Sequence, residues 1–160
     1  MGEITILGKV YPILEEIAEK DSFQFRNDSI VLKSSNNNSK LLLDELLREV
    51  LYDESFQIYE QMKKNKKVDV IGNLDFEIVD KIDKKENRIA KMKGNKILIK
   101  KKIIMLPKSV LEYIIAHEIA HIAIKRHTKK FWKTVELICP DYEKAKESLN
   151  EYTSLLNSDF

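Results

Sequence analysis

Apolar and polar positions change rhythm several times along the chain, and each change marks an element. Ile4 to Leu7 and Ser22 to Lys33 alternate with the two-residue period of short strands, and Asn27-Asp28-Ser29 supplies a hairpin turn within the second stretch. Tyr11 to Lys20 fits two readings: Ile13, Leu14, Ile17 and Ala18 have helical spacing, yet the segment is short enough to extend a strand. The polar run Ser34-Ser35-Asn36-Asn37-Asn38-Ser39 predicts a loop. Beyond it, Lys40 to Lys64 places Leu42, Leu43, Leu46, Leu47, Val50, Leu51, Ile58, Tyr59 and Met62 at amphipathic-helix spacing, with a bend expected near Asp53. Leu74 to Ile82 alternates again, and Asn95 to Ile104 is rich in β-branched residues. Both predict strands, with Lys93-Gly94-Asn95 as a turn.

From Leu106 the chain runs LPKSVLEYIIAHEIAHIAIKRHTKKFWKTVELICPDY. Ser109 and Glu112 have capping-box spacing, which sets a helix start just after Pro107. Val110, Leu111, Ile114, Ile115, Ile119, Ile122 and Ala123 surround that helix with apolar side chains, so its middle is expected to be buried. Thr128 can cap a following helix that carries Phe131, Trp132, Val135 and Leu137 and stops at Cys139-Pro140. Phe131 and Trp132 are expected in the core. The pattern as a whole predicts an α+β domain spanning residues 1–160: a small antiparallel sheet with one long helix over 1–104, then a buried site helix and C-terminal helices over 105–160.

The buried helix contains three polar residues that its surroundings do not explain. His117, Glu118 and His121 lie within one arc, and leaving them unpaired in a core would cost several kcal/mol, roughly 2–7 for each polar group. The four-residue step from His117 to His121 lets both imidazoles bind one metal ion, with Glu118 beside the water that the ion activates. His127 follows six residues later, past Lys125-Arg126, where the chain can turn back. All 3 histidines of the sequence thus fall in HEIAHIAIKRH. Any one of them could make an ordinary hydrogen bond at a helix interface. Together with Glu118 they predict a catalytic zinc site with three protein nitrogens and an open position.

Composition narrows the picture further. With 160 residues, 43% of them hydrophobic, the chain can bury a core of its own. A single cysteine, Cys139, excludes a disulfide framework or a thiolate zinc site and is expected to be a structural thiol. The net charge of +2 conceals an uneven distribution: residues 1–62 carry 6 basic and 12 acidic side chains, 63–133 carry 20 and 8, and 134–160 carry 2 and 6. A basic middle could face an anion, although a solvated lysine-rich surface gives the same count. Met1 to Asp21 has no signal-peptide pattern, and the apolar stretch from Ile114 to Ile124 is too short and polar to span a bilayer. A cytoplasmic protein without membrane contact is expected.

The run from Leu106 to Tyr142, with LP before the helix, HEIAH, then H-T-K-K-F-W and P-D-Y, resembles the YgjP-like family of zincin metallopeptidases, which are related to SprT-type proteases. The resemblance covers roughly residues 104–150. It implies a zinc ion bound by His117, His121 and His127, with Glu118 as general base, and it implies strands between Gly8 and Ser34. Many family members carry R-W-G-S-C and a glycine turn upstream of LP, whereas this chain has Arg88-Ile89-Ala90-Lys91-Met92 before Gly94. The His121 to His127 interval equals that of metzincins, but Ile124 stands where they place glycine and no methionine turn follows.

The leading expectation is zinc-dependent hydrolysis of peptide bonds in a peptide or protein substrate. Arg88, Tyr113 and Tyr142 are candidate oxyanion stabilisers, each with a structural role as the simpler alternative. A second expectation keeps the metal site and hydrolyses nucleoside triphosphates, an activity also attributed to the family, with Lys125, Arg126, Lys129, Lys130 and Lys133 attracting the anion. A third is a DNA- or RNA-associated zinc protein, for which no helix-turn-helix or aromatic-basic signature is present. No substrate-binding residue follows from the sequence.

Overall fold

Tight turns set the pairing of the strands. In this computed structural model, which describes residues 2–35, 37–65, 73–83 and 88–156, Leu7 and Gly8 take positive φ values of 49° and 85°. Two consecutive left-handed residues are what a two-residue hairpin between right-twisted strands requires. They join β1 (Glu3–Ile6) to β2 (Lys9–Ile17) in antiparallel register. Asn27-Asp28 joins β3 (Ser22–Arg26) to β4 (Ser29–Ser34), as the sequence predicts, and Asn27 supplies the positive φ. Asn36 of the polar loop, and Lys66, Lys67, Lys84 and Lys85 of the basic segment, lie outside the described residues.

The expected single antiparallel sheet is instead two sheets, each mixed. The first has the order β1-β2-β4-β3, and β2 runs parallel to β4. The second has the order β5-β7-β6, built from β5 (Asp75–Val79), β6 (Ala90–Lys93) and β7 (Lys96–Lys100), with β5 parallel to β7. The cause lies in hydrophobicity. Ile30, Val31 and Leu32 of β4 are 0% exposed and Ile97 to Ile99 of β7 are buried, and continuous apolar runs of this kind belong inside a sheet with neighbours on both sides. Each therefore lies between its hairpin partner and an earlier strand. That placement also resolves Tyr11 to Lys20 as strand through Ile17, paired residue by residue from Ile13↔Ile30 to Ile17↔Ser34.

α1 (Ser39–Lys64) is one continuous helix through Asp53 and buries Leu42, Leu46, Leu51, Ile58 and Tyr59. Arg48 fastens it to the second sheet. Its guanidinium donates to Asp44 at 2.8 Å, to the Ile78 carbonyl at 3.0 Å and to Asp80 at 2.7 Å. Lys101 pairs with Asp44 from the other side.

The predicted strand over Asn95 to Ile104 ends at Lys100, and Lys101–Met105 forms a 3₁₀ turn. A strand would send the adjacent Ile103 and Ile104 to opposite faces, whereas this turn buries both. The Ile104 carbonyl accepts from Leu7 N at 2.6 Å, and Pro107 packs against Gly8. α2 (Lys108–Ala123) starts immediately after Pro107, where the sequence places it, but the capping box does not form. Ser109 lies one residue inside the helix, past the position from which its hydroxyl could cap. The Pro107 carbonyl instead accepts from Val110 N and Leu111 N at 2.9 and 3.3 Å.

α3 (Lys129–Ile138) and α4 (Tyr142–Leu156) complete the α+β fold. One hydrophobic cluster takes residues from both sheets and all four helices, and α2 contributes Val110, Leu111, Ile114 and Ile115. Burying an isoleucine or leucine of this kind stabilises the fold by about 1.5–3 kcal/mol. Among the described residues no helix is long and apolar enough to cross a membrane.

Candidate metal centre

α2 changes character along its length. Val110 to Ala116 pack into the core almost without interruption, except at Glu112, and the next two residues, His117 and Glu118, are polar yet only 3% and 5% exposed. The helix ends at Ala123, and Ile124 adopts extended geometry while its N–H still reaches the Ala120 carbonyl at 3.0 Å. The chain then reverses through Lys125-Arg126. Thr128 fixes the reversal: its N–H donates to the Arg126 carbonyl at 2.8 Å, and its Oγ1 accepts from Phe131 N at 3.3 Å as the predicted cap of α3. This turn brings His127 over the exit of α2.

The result is convergence of one kind of atom. His127 Nε2 lies 3.2 Å from His117 Nε2 and 3.1 Å from His121 Nε2, and the ligand atoms of the three residues all fall within 4.8 Å of one another. The tautomer of His121 follows from its other nitrogen, 3.1 Å from the Ile124 carbonyl. A carbonyl only accepts, so Nδ1 carries the proton and Nε2 presents a lone pair to the cluster. A tetrahedral zinc site with bonds of 2.0–2.1 Å has nitrogen-to-nitrogen edges of about 3.3 Å. The two separations from His127 Nε2 are close to that edge. A single proton could satisfy such a trio only in part, whereas a divalent cation satisfies all three, so the donor set and its spacing fit a metal ion such as zinc.

Phe131 orients the three rings. It is 0% exposed, and its ring centroid lies 5.2 Å from that of His117, 4.5 Å from His121 and 4.9 Å from His127. The pKa values of His121 and His127 are lowered by burial first and then by a neighbouring imidazole, which favours the neutral form that a metal ligand needs. Glu118 Oε1 lies 3.6 Å from His117 Nδ1, which puts the carboxylate at the edge of the cluster.

The other residues singled out in the sequence separate. Tyr113 is buried behind the site, with its ring edge towards His117 at 5.9 Å, and burial followed by Tyr142 pushes its phenol well above the usual value. Arg88 sits 3.8 Å from Asp83. Tyr142 borders a cleft of about 430 Å³ next to His127, and Lys129 and Lys133 line the same cleft, while Lys125, Arg126 and Lys130 do not. Trp132, expected in the core, is half-buried on the cleft wall, nearly parallel to His127 at 5.7 Å and to Tyr142 at 5.6 Å. Cys139 is buried, as expected. Sequence reasoning missed Lys146, whose ammonium lies 3.8 Å above the Trp132 ring. The available signal was its four-residue spacing from Tyr142.

Comparison with known proteins agrees with the residue pattern. A family described as "YgjP-like, metallopeptidase domain" matches residues 2–152. No curated protein and no solved structure matches the chain significantly.

Proposed function

The chain belongs to the YgjP-like metallopeptidase family, and from that premise we propose that it is a zinc-dependent peptidase with its metal on His117, His121 and His127 and its general base at Glu118. Residues 1–160 would act as one zincin-like catalytic domain. The observation that carries this reading is the approach of His127 Nε2 to 3.1–3.2 Å from the Nε2 atoms of both His117 and His121, beside a buried carboxylate. Zinc, when bound, supplies a Lewis acid that lowers the pKa of water to near 7 and polarises a substrate carbonyl.

The chain's own groups supply the rest. The Ile124 carbonyl holds His121 in the tautomer that offers Nε2, and Phe131 fixes the planes of all three rings. Glu118 takes a proton from the attacking water at its carboxylate and returns it to the departing amine. Its burial excludes bulk water, so the carboxylate is less solvated and the proton transfer is local. Tyr142, at the border of the adjoining cleft, is the one sequence-derived oxyanion candidate with a side chain facing a cavity beside the histidines.

Metal analysis of the purified protein tests the first half of the proposal, with one zinc per chain expected. A peptide library tests the second. Glu118→Gln is expected to keep the zinc and lose cleavage, and full cleavage by that variant would overturn the assignment.

A further inference from the structure

Beside His127 the surface is concave, and its chemistry is one-sided. Lys129, Trp132, Lys133 and Glu136 share one face of α3 by their spacing, and Tyr142 and Lys146 face them from α4 across the 430 Å³ cleft. Three ammonium groups and one carboxylate therefore line a cavity that has a candidate zinc ligand as part of its wall. Some lysines elsewhere are paired, Lys9 with Asp28 at 2.8 Å and Lys91 with Asp83 at 2.7 Å. Among the described residues Lys129, Lys133 and Lys146 make no ion pair. Lys129 and Lys133, four apart on one helix, also repel each other, an arrangement that does nothing for the stability of α3.

On the reading that the three histidines hold a hydrolytic metal, we propose that this cleft binds a carboxylate of the peptide substrate, from an acidic side chain or a free C-terminus, and so directs acidic peptides to the centre. The ammonium groups supply the charge, and the Trp132 and Tyr142 side chains that line the cleft supply apolar surface for the stem that carries the carboxylate. A polyphosphate suits the cleft less well. Phosphate chains are cradled by backbone N–H groups in glycine-rich loops, and the 4 glycines of the sequence, at positions 2, 8, 72 and 94, all lie outside the segment that forms the cleft.

Trp132 is the only tryptophan, so intrinsic fluorescence reads this cleft directly. The test titrates zinc-loaded Glu118→Gln protein with four probes. They are a short capped peptide containing glutamate, its glutamine counterpart, the glutamine peptide with a free C-terminus, and inorganic tripolyphosphate. One of the two carboxylate peptides is expected to change the emission saturably and to bind roughly tenfold more tightly than the capped glutamine peptide. Which of the two does so identifies the source of the carboxylate. Lys133→Glu with Lys146→Glu removes that preference, and Lys133→Gln with Lys146→Gln reduces it in a milder background. Lys20→Glu with Lys40→Glu, at exposed positions far along the chain from the cleft, preserves it. Equal binding of all peptides, equal loss in both charge-reversed pairs, or a preference for tripolyphosphate overturns the proposal. Because the readout is binding, carboxylate selection without cleavage by the wild type would instead overturn the peptidase reading, and cleavage without charge preference would overturn only the cleft.

Discussion

Two polar clusters border the apolar core, and they are built on opposite plans. Where α1 meets the second sheet, each charge faces its complement: Asp44 pairs with Lys101 and Arg48, and Arg48 also reaches Asp80 and a backbone carbonyl. At the exit of α2, three nitrogens of the same kind point at one another, and the neighbouring cleft gathers lysines. The first arrangement is complete within the chain and stabilises a junction. The second has the chemistry to take an added partner, a cation at the imidazoles and an anion at the lysines. Balance of charge, more than polarity itself, distinguishes the structural cluster from the candidate functional one.

The largest expected contrast is chemical. Glu118→Gln should lower peptide turnover by about 10²–10⁴-fold while metal content stays constant, as measured by steady-state kinetics and metal analysis. Phe131→Ala comes next, at about 3–5 kcal/mol of stability from chemical denaturation, because it empties a site that is fully enclosed by the core and the three imidazoles. Zinc affinity should fall with it. Arg48→Ala strikes the balanced cluster and should cost about 1–2 kcal/mol while leaving zinc stoichiometry and turnover unchanged. A loss of zinc in Arg48→Ala would show that the two clusters are coupled.

The smallest expected effects are in pH, and they separate the clusters along that axis. Burial lowers the pKa of His121 and His127, so the unfolded chain takes up their protons first. Their contribution to the metal-free protein is present above about pH 6.5 and is lost as pH falls through the lowered native values. The Lys101 and Arg48 hydrogen bonds hold the Asp44 carboxyl below its ordinary range. Its contribution is present above about pH 3.9 and is lost below that. Thermal midpoints of metal-free wild type, His121→Asn and Asp44→Asn across pH should show each substitution weakening one window and sparing the other.

Local patterns made the candidate site legible in the sequence. HEIAH fixes its spacing within one helix, and Thr128 announces the turn that returns His127. The hairpins at Asn27 and Gly94 were equally visible. What escaped depends on distant partners. The parallel pairing of β2 with β4 cannot be read from β2, where Ile13 is buried but Leu14 and Ile17 are exposed, so neither period is consistent. The capping box at Ser109 was a correct pattern displaced by Pro107. The cleft joins faces of α3 and α4 that are each unremarkable alone, and only their docking sets Lys146 over Trp132.

The contact between Leu7 and Ile104 has a kinetic consequence. The first hairpin turn of the chain rests on the segment that launches the site helix, so seating that helix closes a loop of roughly one hundred residues. Such closure adds little to the equilibrium cost, since each doubling of loop length costs only about 0.6 kcal/mol, but it delays folding because local contacts cannot substitute for it. The hairpins can form within about 1–10 μs. The histidine cluster is local in sequence and does not wait for that meeting, so docking of α2 against the first hairpin, rather than convergence of the histidines, should belong to the late steps of folding.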